Sequence, residues 1–70
     1  MKRKPLTKPL IVIGILNELH WISGEARLLD GTRFFFNGLQ AETLRKYWGL
    51  RVKCVLNGET RYLGQIEQAN

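Results

Sequence analysis

Residues 10–16 read Leu-Ile-Val-Ile-Gly-Ile-Leu, a run of aliphatic side chains broken once by Gly14. Branching at Cβ stiffens Ile11, Val12, Ile13 and Ile15 against a helical turn and suits them to a pleated strand. The run is far shorter than the roughly 20 residues that span a bilayer. It therefore predicts a long, largely buried strand over residues 10–19, bent at its glycine. A strand of this kind must be wrapped by other elements, and a chain of 70 residues has room for one small core. A small, curved β structure is the expected result.

The rest of the chain supplies the wrapping. In residues 25–29, Ala26 and Leu28 alternate with Glu25 and Arg27, the period of a strand with one face inward. Asp30-Gly31 follows as a hairpin turn. Residues 32–37 hold Phe34, Phe35 and Phe36 in succession, and neighbouring strand residues point to opposite faces, so the three rings cannot share one side. A two-residue loop pairs Phe35 with Ala26 and turns it inward, whereas a three-residue loop turns Phe35 outward and Phe34 and Phe36 inward. The sequence leaves both registers open.

Between Gly38 and Gly49, the spacing of Ala41, Leu44 and Trp48 predicts an amphipathic helix of two turns, with Arg45 and Lys46 near its C-terminal end and Gly49 as its stop. Tyr47 and Trp48 are expected to plug the end of the sheet. Val52, Cys54 and Leu56 then alternate with Arg51 and Lys53, Asn57-Gly58 marks a second hairpin, and residues 59–66 return as the last strand. Gly64 suggests a bulge, and residues 67–70 are expected to fray. The order β-β-β-α-β-β is that of a five-stranded OB-type barrel covering residues 10–70, with residues 1–9 a flexible basic arm. An SH3-like or Sm-like barrel is the alternative architecture.

Eleven Lys and Arg against six Asp and Glu give a net charge of +5. Such an excess favours polyanionic partners, because each cation that meets a phosphate releases condensed counterions. One cysteine forms no internal disulfide, which fits a reducing, cytoplasmic compartment. One Cys and one His do not supply a metal site, and no cofactor is implied. The sequence contains no Gly-x-Gly-x-x-Gly loop and no recognisable catalytic set, so an enzyme is not expected. Cys54 reads as a small core residue.

Three stretches carry a family resemblance: Gly14-Ile15-Leu16, the run from Leu28 through Asp30-Gly31-Thr32-Arg33 to Phe36, and Gly49-Leu50-Arg51-Val52-Lys53-Cys54-Val55-Leu56. Together they resemble bacterial cold-shock domains and the smallest bacterial translation initiation factor, over roughly residues 10–68. The resemblance implies an OB fold that binds RNA or single-stranded DNA. By that alignment Phe35 and Phe36 stand where ligand-facing rings fall, and Phe34 stands at a core position. The second-strand aromatic motif of cold-shock domains has no counterpart here, since residues 23–28 contain no aromatic side chain.

An outward ring flanked by arginines is a physical basis for single-strand binding, because base stacking tolerates any sequence. Phe35 with Arg27 and Arg33 leads the candidate site, joined by Phe36 and by Trp21 beside His20. Tyr62 and Lys53 face one another across the Asn57-Gly58 hairpin if its loop has two residues. Lys2, Arg3, Lys4 and Lys8 of the arm would track phosphates or serve solubility alone. The expected function is a single-stranded nucleic-acid-binding module, RNA ahead of DNA, acting as an RNA chaperone or a regulator of transcription or translation. The rival is a protein-interaction module docking on a host, ribosomal or polymerase protein. Neither requires a membrane, and the strand edges leave a dimer open.

Overall fold

The structure, a computed structural model, describes residues 8–69; the arm residues Lys2, Arg3 and Lys4 lie outside the described residues. Five strands and one helix follow in the order β1 (Pro9–His20), β2 (Glu25–Leu28), β3 (Arg33–Phe35), α1 (Gly38–Tyr47), β4 (Arg51–Asn57) and β5 (Leu63–Gln68). All five strands join in one antiparallel sheet ordered β3-β2-β1-β4-β5. β1 serves both halves of it. Pro9 to Ile15 pair with β4, and Leu16 to His20 pair with β2, with the register slipping at Asn17 between them. Gly14 sits just before this change of partner, and a Cβ there would come within 3.1 Å of Leu28 Cδ1. The glycine is thus tied to a close approach of β2, and the irregularity of the strand falls at Asn17, three residues later.

The hairpin between β2 and β3 settles the phenylalanine register. The Leu28 N–H donates to Thr32 O at 2.8 Å, and the Gly31 N–H donates to Leu28 O at 2.9 Å. Three residues, Leu29, Asp30 and Gly31, therefore form the loop, with Gly31 at φ +98° where a side chain would be strained. Phe34 pairs with Ala26 and is fully buried, while Phe35 pairs with Glu25 on the opposite face.

Phe36 joins Phe34 in the core, together with Leu16, Leu28, Leu44, Val52, Cys54, Leu56 and Leu63. No polar or charged residue is buried among the described residues. The core is held by apolar burial, worth about 1.5–3 kcal/mol for each large side chain.

α1 is longer than two turns. Its ten residues begin at a capping box in which the Asn37 side chain accepts from the Gln40 N–H and the Gln40 side chain accepts from the Asn37 N–H. Leu44 is the buried plug. Trp48 is not a plug: it is 60% exposed, and its indole N–H donates to Asn17 O at 2.9 Å. The Leu16-Asn17 backbone also bonds to Gly49 and Leu50, so the end of α1 clamps β1 where it changes partner.

The β4–β5 turn is longer than two residues. Asn57 Oδ1 accepts from the Glu59 and Thr60 amides, both at 2.8 Å, and Leu56 pairs with Leu63. Gly64 falls at the register shift opposite Val55 and Leu56, as a bulge. Glu67 and Gln68 do not fray; they pair with Lys53 and Val52, and the Ala69 N–H donates to Arg51 O.

The two end strands meet at one point only. A parallel bridge links Phe35 to Tyr62, with the Phe35 N–H donating to Arg61 O at 2.9 Å. The sheet is therefore not a closed barrel. β3 has only three residues before the Asn37 cap turns the chain into α1, which leaves no length for a second rung.

Candidate functional site

The outward face of β2 and β3 is built by strand alternation. With Ala26, Leu28 and Phe34 turned inward, Glu25, Arg27, Arg33 and Phe35 must face out, joined by Glu18 and His20 from the second half of β1. From Glu18 through Arg27 and Glu25 to Arg33 the charges alternate, with His20 beside Glu18 at one end. Glu18 lies 3.0 Å from His20 Nε2 and 3.8 Å from Arg27, and Glu25 lies 3.8 Å from Arg27 and 3.4 Å from Arg33. Arg27 is thus held between two carboxylates, and its Nε is buried with no hydrogen-bond partner. The sequence placed Arg27 beside Phe35 in the candidate binding site; in the structure it stands at the centre of an ion-pair network. Arg33, with a side chain 62% exposed, keeps its guanidinium in solvent.

Phe35 is half-buried and packs against Tyr62, with ring centroids 5.7 Å apart and the planes tilted by 40°. Tyr62 is 52% exposed. This pairing replaces the one expected across the second hairpin. Lys53 pairs with Glu67 on the β4–β5 side of the sheet, 3.9 Å from its carboxylate, and does not meet Tyr62.

Arg61 joins this group, a residue the sequence did not single out. Its backbone stands at φ +66°, an uncommon conformation for a side-chain-bearing residue. The Asn57 turn imposes it: the Arg61 N–H donates to Asn57 O, and the Asn57 N–H donates to Tyr62 O. In this conformation the Arg61 carbonyl accepts from Phe35, and its guanidinium Nη1 donates to Arg33 O at 3.4 Å. The only sequence signal was the Asn57-Gly58 turn, whose length sets the position of Arg61.

Arg33, Arg61 and Phe35 line an open cleft of about 630 Å³ with Leu10, Val12 and the Asp30 turn. Asp30 brings negative charge to its rim. Hydrogen bonds from the Thr32 backbone and side chain hold its carboxyl below the usual value. The cleft thus offers two cations, one aromatic face and one acceptor.

The remaining expected site residues lie elsewhere. Phe36, expected to face a ligand, is enclosed in the core because the three-residue loop turns it inward. Trp21, in the turn after β1, meets Phe36 edge-on at 6.0 Å and lines a different cleft with Trp48. Cys54 is buried, and desolvation pushes its thiol up to about 11, so it stays protonated near neutrality. Among the described residues, no three His, Cys, Asp or Glu side chains gather as a metal ion would require. No described helix is long and apolar enough to cross a membrane.

In comparisons with protein families, curated proteins and solved structures, the chain matches none.

Proposed function

We propose that this protein is a non-enzymatic, cytoplasmic module that binds single-stranded nucleic acid, RNA ahead of DNA, in the manner of an OB-type domain. The observation that carries the reading is the Phe35 ring, which lines one cleft with Arg33 and Arg61 and packs against Tyr62 behind it. A base stacked on such a ring gains about 1–3 kcal/mol, and the guanidinium groups lie within reach of the flanking phosphates. The strand order, the helix between β3 and β4, and the parallel contact between β3 and the start of β5 support the OB-type assignment. In the cell the module would act as an RNA chaperone or a regulator of transcription or translation.

Titration of the nuclease-treated protein with single-stranded RNA, single-stranded DNA and duplex at two salt concentrations tests this. Affinity is expected to rank in that order and to fall steeply with salt. Phe35→Ala should cost about 1–3 kcal/mol of binding, and Arg61→Ala should flatten the salt slope by roughly 0.7, the share of one phosphate on a single strand. Undetectable or salt-independent binding overturns the reading.

A protein-docking role is the second reading, supported by the exposed Trp21 and Ile22 of the β1–β2 turn and the exposed Trp48 at the end of α1, the two tryptophans lining one cleft. A partner retrieved equally well with and without nuclease, and lost on Trp48→Ala, would favour it.

A further inference from the structure

Among the described residues, the first half of β1 has one free side. The Leu16 N–H donates to Leu50 O on the β4 side, whereas Ile15 O accepts the Leu29 N–H on the other. Backbone groups alternate along a strand, and the β1–β4 register is continuous from Pro9 to Ile15. The N–H and C=O groups of Ile11 and Ile13 therefore point away from β4. Among the described residues no strand runs beside them, because β2 joins β1 only from Leu16 onward. The same stretch turns Ile11, Ile13 and Ile15 outward, exposed by 55%, 48% and 39%. An open backbone edge bearing an apolar stripe is what a sheet protein ordinarily hides.

We propose that a second copy of this chain covers this edge, through antiparallel pairing of β1 with β1 about a two-fold axis. The hydrogen-bonding edge calls for an extended strand, and the sequence of the edge is complementary to itself. Pairing Ile11 with Ile13 of the second copy places the axis at Val12, uses the free groups of both residues twice over, and merges the two isoleucine stripes into one. The basic side chains of this face, Arg51 and Lys53, belong to β4, one strand in from the seam. At each end of the seam the exposed Lys8 of one copy comes beside the Leu29–Asp30 turn of the other, so opposite charges meet there.

The other edge of this half-sheet is less suited. β5 turns Gln65 and Glu67 outward, and the Gln40 side chain already donates to Leu63 O at its start. The pairing stands independently of any nucleic-acid role.

Sedimentation velocity of the full-length, nuclease-treated chain over a concentration series tests the proposal, with hydrogen exchange of the Ile11 and Ile13 amides followed over the same series. Expected is a monomer–dimer equilibrium in which protection of those two amides rises in step with the dimer fraction. Ile13→Lys should leave a monomer, and Ile13→Thr, which keeps the branched Cβ, should weaken the dimer without abolishing it. A monomer at every concentration overturns the proposal, and so does a dimer whose Ile11 and Ile13 amides exchange as fast as in the monomer. The exchange measurement on the unaltered chain decides the matter even if the lysine variant does not fold.

Discussion

β1 passes through two regions that share a backbone and differ in what they show to solvent. Before Asn17 its outward side chains are Ile11, Ile13 and Ile15, set against Val55, Lys53 and Arg51 of β4. Beyond Asn17 they are Glu18 and His20, set against Arg27 and Glu25 of β2. The second region is balanced in charge, because its carboxylates and guanidinium groups stand at ion-pair distance from one another, with the Arg27 Nε left buried without a hydrogen bond. The first differs, since apolar stripes on an open edge gain by leaving water. The contrast separates the two proposals: the ligand role rests on the ionic face that ends at Phe35 and Tyr62, and strand pairing rests on the isoleucine face.

The contrast is broken most severely where the two regions meet. Leu16 is fully buried, and its backbone bonds to both Gly49 and Leu50. Leu16→Ala is expected to cost about 2–5 kcal/mol, measured by urea unfolding. Far-UV circular dichroism and tryptophan fluorescence should still report one coincident transition, as a shared core requires. If the two probes separate, the half-sheets fold apart and β1 does not unite them.

A smaller change sharpens the comparison at the register slip itself. The indole of Trp48 donates to Asn17 O, the carbonyl of the residue that the β1–β2 ladder skips. Trp48→Phe keeps a ring there and removes the donor, at an expected cost of about 0.5–1.5 kcal/mol. Amide exchange should quicken around Asn17 and in β2 while the β1–β4 ladder stays protected. Equal loosening of both ladders would mean that the clamp acts on the whole sheet.

These contrasts were unevenly legible in the sequence. The strands, the helix and the Gly64 bulge follow from local periodicity and turn residues, which a sequence displays directly. The inward Phe34 and outward Phe35 depend on whether the Asp30-Gly31 turn has two residues or three, and one residue of loop inverts every side chain in β3. The second hairpin shows the same sensitivity: its longer turn removes Lys53 from Tyr62, carries Tyr62 to Phe35 and sets Arg61 beside Arg33. Nor did composition distinguish an arginine paired with one carboxylate from an arginine held by two. Arg27 and Arg33 look alike in sequence, and only the register shows that Glu18 and Glu25 converge on the first.

The smallest expected effect on stability is the most informative about the ionic face. Glu25 stands between Arg27 and Arg33 and holds both at salt-bridge distance. Glu25→Gln keeps the shape and removes the charge. The pairs it breaks are partly exposed, so screening limits the loss to about 1 kcal/mol or less, read from the urea midpoint. The freed guanidinium of Arg33 adds a cation beside the Phe35 ring, and affinity for a single-stranded oligonucleotide should rise with a steeper dependence on salt. Sedimentation of the same variant should match the unaltered chain, because no residue of the isoleucine edge has been touched. Should the variant bind no better, Glu25 is not what restrains Arg33, and the aromatic pair with Arg61 carries the binding alone.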